Sequence, residues 1–140
     1  MRMKGVVYKA RVGSVLKYGA ETWAMKAGLF QRLQATERKM LRMICGVTLK
    51  DMVESTVIAS RVGVDDLEEH LRQKRLRWFG HIARRDVEVE IKKVLEFKIE
   101  GWRKRGRPVK QWIDVVVEDM KKRGVVQQDA GNRESWRRVV

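Results

Sequence analysis

Glycines at Gly28, Gly46, Gly63, Gly101, Gly106 and Gly124 divide the chain, and between them apolar residues mostly recur three and four positions apart. Only one proline interrupts 140 residues. That pattern predicts helices closed by glycine rather than alternating strands. Leu29, Phe30, Leu33, Met40, Leu41 and Ile44 share one face of a helix that Gly46 would end. A shorter helix over 55–62 ends at Gly63 in the same way. Asp65 and Glu68 have the spacing of an acidic capping box, opening a long helix that reaches Ala83 or beyond. Residues 87–95 read as another helix, whereas Phe97 and Ile99 alternate with charges and suit a short extended piece. Pro108 fits the first turn of a helix carrying Trp112, Val115, Val116 and Met120, which Gly124 closes. A last short helix ends around Trp136. The fold class is therefore all-α: an irregular bundle of about six or seven helices with a basic loop and little or no sheet.

Composition narrows the function. With 44% hydrophobic and 36% charged residues the chain is globular, and its length suffices for an ordinary core. One cysteine, Cys45, excludes a disulfide framework and a cysteine-based zinc site within the chain. No stretch approaches the roughly 20 apolar residues of a membrane span, and the N-terminus lacks a signal-peptide core. We expect an intracellular protein without a membrane partner. The net charge is +14. Residues 1–70 hold 12 basic and 8 acidic residues, and residues 71–140 hold 20 and 10, so the halves carry +4 and +10. This asymmetry favours a polyanionic partner, with nucleic acid ahead of an acidic protein or a membrane surface.

The long central helix has two faces. With Leu67 at 0°, Leu71, Leu76, Trp78, Phe79, Ile82 and Ala83 span an arc from about 20° to 180°. Lys74, Arg77, His81 and Arg84 form a stripe between about 260° and 340°. Such a stripe either follows a phosphate backbone or is a solvated face. Arg75 interrupts the apolar arc, and Glu37 interrupts that of the earlier helix. A buried charge is costly unless paired, so Arg75 should meet a carboxylate from another helix, Glu37 or Glu21, or else snorkel outward.

The densest basic run holds Arg103, Lys104, Arg105, Arg107 and Lys110, with no anion. Its Arg-Gly-Arg-Pro core resembles an AT-hook, which inserts into the narrow minor groove of A·T-rich DNA. A basic loop leading into the Trp112 helix, or a nuclear-import signal, explains it as well. No catalytic constellation is visible. His70 and His81 lie roughly 16 Å apart along a helix and cannot share a metal. Asp65 and Asp66 resemble a polymerase metal pair, but Gly63 precedes them and a helix follows, which favours capping. Neither cofactor, metal nor small-molecule substrate is expected.

Four segments occur in a telling order: YGAETW (18–23), ATERKMLRMICGVTLKD (35–51), RLRWFGHIARR (75–85) and GRPVKQW (106–112), with Trp136 near the end. In this order they resemble the C-terminal part of reverse transcriptase-like proteins from non-LTR, LINE-type retrotransposons, over nearly the whole chain. The resemblance implies a thumb-like region at 1–63 and a basic helical linker at 64–140 with the Arg-Gly-Arg-Pro loop, together one compact unit. It implies that the catalytic palm and the endonuclease residues lie outside this chain, which then reads as a non-enzymatic retrotransposon remnant. Gly13 replaces a proline usual in relatives and Lys17 replaces an apolar residue, so both bear on how the first helix packs. Lys74, Arg77, His81, Arg84, Arg103, Lys104, Arg105, Arg107 and Lys110 are the expected nucleic-acid contacts. Glu21, Trp23, Glu37, Arg75, Trp78 and Trp112 are expected to be structural. The expected partner is RNA or DNA, bound with little sequence preference, in the nucleus. A helical protein-interaction module and an AT-hook-like DNA-binding protein are the alternatives.

Overall fold

A computed structural model describes the backbone of residues 2–86, 90–96, 106 and 110–140. These residues form seven helices and no strand. Helix α1 covers residues 2–16 and contains a π-helical stretch, Tyr8–Gly13. The others are α2 (Ala27–Cys45), α3 (Ser55–Val62), α4 (Leu67–Ala83), α5 (Glu90–Glu96), α6 (Trp112–Arg123) and α7 (Arg133–Val139). Single 3-10 segments occupy Ala20–Thr22 and Gln127–Gly131.

Local signals account for most ends. Gly46, Gly63 and Gly124 are all left-handed caps, with φ of 67°, 72° and 67°. Other boundaries differ from expectation. The cap of α4 is Asp66 rather than Asp65: its Oδ2 accepts the Glu69 backbone N–H at 3.0 Å. This start brings Leu67, 2% exposed, into the core on the first turn. Helix α6 begins at Trp112, not at Pro108, because Gln111 and Asp114 form its capping box. Helix α7 continues past Trp136 to Val139. Phe97, Ile99 and Pro108 lie outside the described residues.

The chain forms two compact units: Met1–Ala20 with Met25–Leu71, and Glu21–Ala24 with Arg72–Val140. In the first, Tyr8, Leu41, Ile58, Val62 and Val64 make one core cluster, against which the half-buried Cys45 packs. Ala20, Leu67 and Leu71 make a second, with Phe30 and Leu33 against it. Leu29, expected on the buried face of α2, is instead 55% exposed, since this core engages the helix from Phe30 onward. A β-carbon at Gly5 would strike the Val62 carbonyl, so glycine there lets α1 lie against the end of α3.

Glu37 is buried, at 5% exposure. The Tyr8 hydroxyl donates to its Oε1 at 3.2 Å. Burial pushes the Glu37 carboxyl above its ordinary range, opposed by the positive charge of Lys17 and the Tyr8 hydrogen bond. Burial, with the Glu37 charge beside it, raises the Tyr8 hydroxyl in turn.

In the second unit, Leu76, Phe79, Val116, Met120, Ala130 and Trp136 form the core. The Phe79 ring lies 6.5 Å from Trp112 and 6.3 Å from Trp136, both tilted. Arg75 is 6% exposed and pairs with neither Glu37 nor Glu21. Its Nε donates to Asp119 Oδ2 at 2.7 Å, and Arg72 Nε stands 3.5 Å from Oδ1 of the same carboxylate. Asp119 fits because α6 packs against α4 in this core and turns a buried carboxylate toward it.

Candidate nucleic-acid interface

Arg77 and His81 on α4, with Arg84 just beyond its end, lie beside a second helix, α7. Trp136 anchors α7 within this unit: it is 2% exposed, and its indole N–H donates to the Leu76 carbonyl at 3.0 Å. Gly80 makes the approach possible, since a β-carbon there would meet the Trp136 Nε1 and Cδ1. Asn132 starts α7 by accepting the Glu134 and Ser135 N–H groups at 3.0 and 3.2 Å. Arg84 Nη1 donates to the Ala130 carbonyl at 2.8 Å, fixing the segment that leads into α7.

Between these helices runs a groove of about 460 Å³ lined by Arg77, His81, Arg84, Arg133, Trp136, Arg137 and Val140. It therefore holds four arginines and, among the described residues, no Asp or Glu side chain. Sequence reasoning missed Arg133 and Arg137. Their signal was the i, i+4 spacing of two arginines beside a tryptophan in a short helix, too slight to stand out alone.

Across the ridge formed by Arg77 and His81 lies a smaller groove of about 260 Å³, lined also by Glu21, Lys74 and Trp78. The His81 ring stacks on Trp78 with centroids 5.6 Å apart and planes at 23°. Arg85 Nη2 approaches His81 Nε2 to 3.1 Å. Arg77 and His81 are exposed, while Lys74, Trp78 and Arg84 are half-buried.

The remaining expected residues divide. Lys110 is joined to Glu118 at 2.6 Å, with its charge already partnered. Arg103, Lys104, Arg105 and Arg107 lie outside the described residues, and Gly106 between them is exposed. Of the residues expected to be structural, Glu21 contributes through its backbone: its carbonyl accepts the Trp112 indole N–H at 2.7 Å. Trp23 is 44% exposed and belongs to none of the three core clusters.

A separate apolar groove of about 480 Å³ sits in the first unit, lined by Met3, Val7, Val12, Met40 and Met43 among others. No described helix is long and apolar enough to cross a membrane. Among the described residues, no group of three His, Cys, Asp or Glu side chains is gathered to hold a metal.

A protein of Caenorhabditis elegans, described as an uncharacterized transposon-derived protein, is 28% identical over 104 residues. The match supports a transposon-related origin. It covers 71% of this chain and 37% of that relative, so the chain matches little more than a third of the relative's length. No protein-family model matches the chain, and no solved structure is significantly similar to it.

Proposed function

We propose that this chain is a non-catalytic nucleic-acid-binding piece of a LINE-type reverse transcriptase lineage, which holds RNA template or DNA target by its backbone in the nucleus. The observation that carries this reading is the groove between α4 and α7, where four arginines face one space that no Asp or Glu side chain enters. The +14 charge, the order of the four sequence segments and the similarity to a transposon-derived protein support the same reading. The stripe residues Lys74, Arg77, His81 and Arg84 are proposed contacts, with the basic run Arg103, Lys104, Arg105, Arg107 as a second element. Lys110 contributes only where its pairing with Glu118 opens. A non-catalytic role fits Asp66, which commits its carboxylate to capping α4.

The test is binding of purified protein to labelled structured RNA and to A·T-rich and G·C-rich duplexes at about 50 and 200 mM salt. Tight binding to all three, weakening steeply with salt, is expected. A marked preference for A·T-rich duplex would instead favour the AT-hook reading of the Arg-Gly-Arg-Pro loop. Failure of a folded sample to bind any of them at the lower salt would overturn the proposal.

One observation favours a second reading, a protein-interaction module. Met3, Val7 and Val12 on α1 are 81%, 59% and 39% exposed, and they line one apolar groove with Met43, which is 72% exposed. Contiguous apolar surface of this kind marks association sites. Concentration-dependent self-association without nucleic-acid binding would support it.

A further inference from the structure

We propose that Arg133 and Arg137 close the α4–α7 groove into a phosphate clamp, whose ligand is the phosphodiester backbone of a nucleic-acid strand. This rests on the nucleic-acid reading above and adds to it a wall of the site outside the α4 stripe and the basic loop. Arg133 and Arg137 are one turn apart on α7, so they project from the same face. Arg77 lies on α4 and Arg84 directly follows its last residue, and all four side chains line the same groove. Arg133 and Arg137 are both exposed.

Three features point to phosphate. Four guanidinium groups in one groove without an Asp or Glu side chain repel one another, and an anion between them relieves that repulsion. The cations are arginines rather than lysines, and the planar guanidinium fork matches phosphate oxygens in pairs. The walls are also held in advance, by the bond from Trp136 to the Leu76 carbonyl and the bond from Arg84 to the Ala130 carbonyl. Binding therefore need not assemble the site first.

The groove also indicates what it does not read. Among the described residues its aromatic rings are His81, one face of which is stacked on Trp78, and Trp136, which at 2% exposure offers no face to a base. Contacts here fall on the backbone, which positions a strand without selecting its sequence.

The test uses the full chain and a labelled oligouridine of about 20 nucleotides, titrated across salt concentrations. Arg133→Gln with Arg137→Gln should lower the slope of log K against log salt by about 1.4, as expected for two lost contacts to a single strand. Lys121→Gln with Arg138→Gln, at exposed positions of the same unit that do not line the groove, removes equal charge and should leave the slope nearly unchanged. Arg133→Lys with Arg137→Lys should retain the slope while weakening affinity, because charge persists and paired contacts do not. Circular dichroism confirms that each variant is folded, and the Lys pair serves if the Gln pair is not.

Equal loss in the groove and control variants would overturn the clamp and leave general electrostatic binding. So would equal affinity for a polyglutamate peptide of matched charge. Wild-type binding that the Gln pair leaves unaltered also removes the clamp while the nucleic-acid reading stands. No binding by folded wild-type protein removes both.

Discussion

The Asp119 carboxylate receives Arg75 at 2.7 Å on one oxygen and stands 3.5 Å from Arg72 on the other, joining α6 to α4 inside the second unit. Arg75 and Asp119 are 6% and 4% exposed, so neither reaches water easily. Removing one partner of such a pair strands the other charge. Asp119→Asn should cost about 3–5 kcal/mol by urea denaturation. The double variant Arg75→Met with Asp119→Leu should recover much of that loss. A single variant within about 1 kcal/mol of wild type would show that the pair is not a buried one.

Tyr8 and Glu37 predict a pH dependence. Both folded-state values lie above the ordinary ones, 10.0 for the tyrosine and 4.5 for the glutamate. Their contribution to stability is therefore complete below those ordinary values and is lost as pH rises through the folded values. For Glu37 the loss begins above 4.5, where the unfolded chain gives up its proton first. Glu37→Gln cannot ionise, so its urea midpoint should fall less than that of wild type as pH rises from the ordinary carboxylate range toward neutrality. Parallel pH profiles for the two proteins would contradict this account.

Gly80 faces the edge of the Trp136 indole, and the close approach leaves no room for a methyl group. Gly80→Ala should destabilise by about 1–3 kcal/mol through overpacking, despite the better helix propensity of alanine. A separate change, Trp136→Phe, removes the donor to the Leu76 carbonyl and leaves a cavity beside Phe79. Thermal unfolding should place both variants below wild type. An unshifted or raised melting temperature for Gly80→Ala would mean that the indole yields.

The bridge from Lys110 to Glu118 is a surface one, with side chains 38% and 58% exposed. Glu118→Gln should change stability by under about 1 kcal/mol. If the adjoining basic run binds polyanions, the same variant should tighten nucleic-acid binding at low salt, because it frees Lys110. Weaker binding would show that Glu118 orders the segment rather than masking its charge.

Helices were legible in the sequence wherever the signal was local. Apolar spacing set the helical course of α2 and α4, and Gly46, Gly63 and Gly124 marked their ends or those of neighbours through left-handed caps. Arg75 and Glu37 stood out because each interrupted an apolar arc on its own helix, and the structure decided between burial and snorkelling. Boundaries shifted where competing caps stood side by side, as with Asp65 and Asp66: only the depth of Leu67 in the core separates them.

Partnership was a matter of tertiary structure. Any acidic residue in the chain could have met Arg75, and packing of α6 on α4 selected Asp119, 44 positions away. Similarly, the cationic stripe was readable as one face of a helix, whereas Arg133 and Arg137 came to line a groove with Arg77 and Arg84 only because Trp136 seats against Gly80 and the Leu76 carbonyl. Helical periodicity reports which residues of one segment share a face. It carries no information about which distant segment will lie opposite, because that depends on burying both faces together.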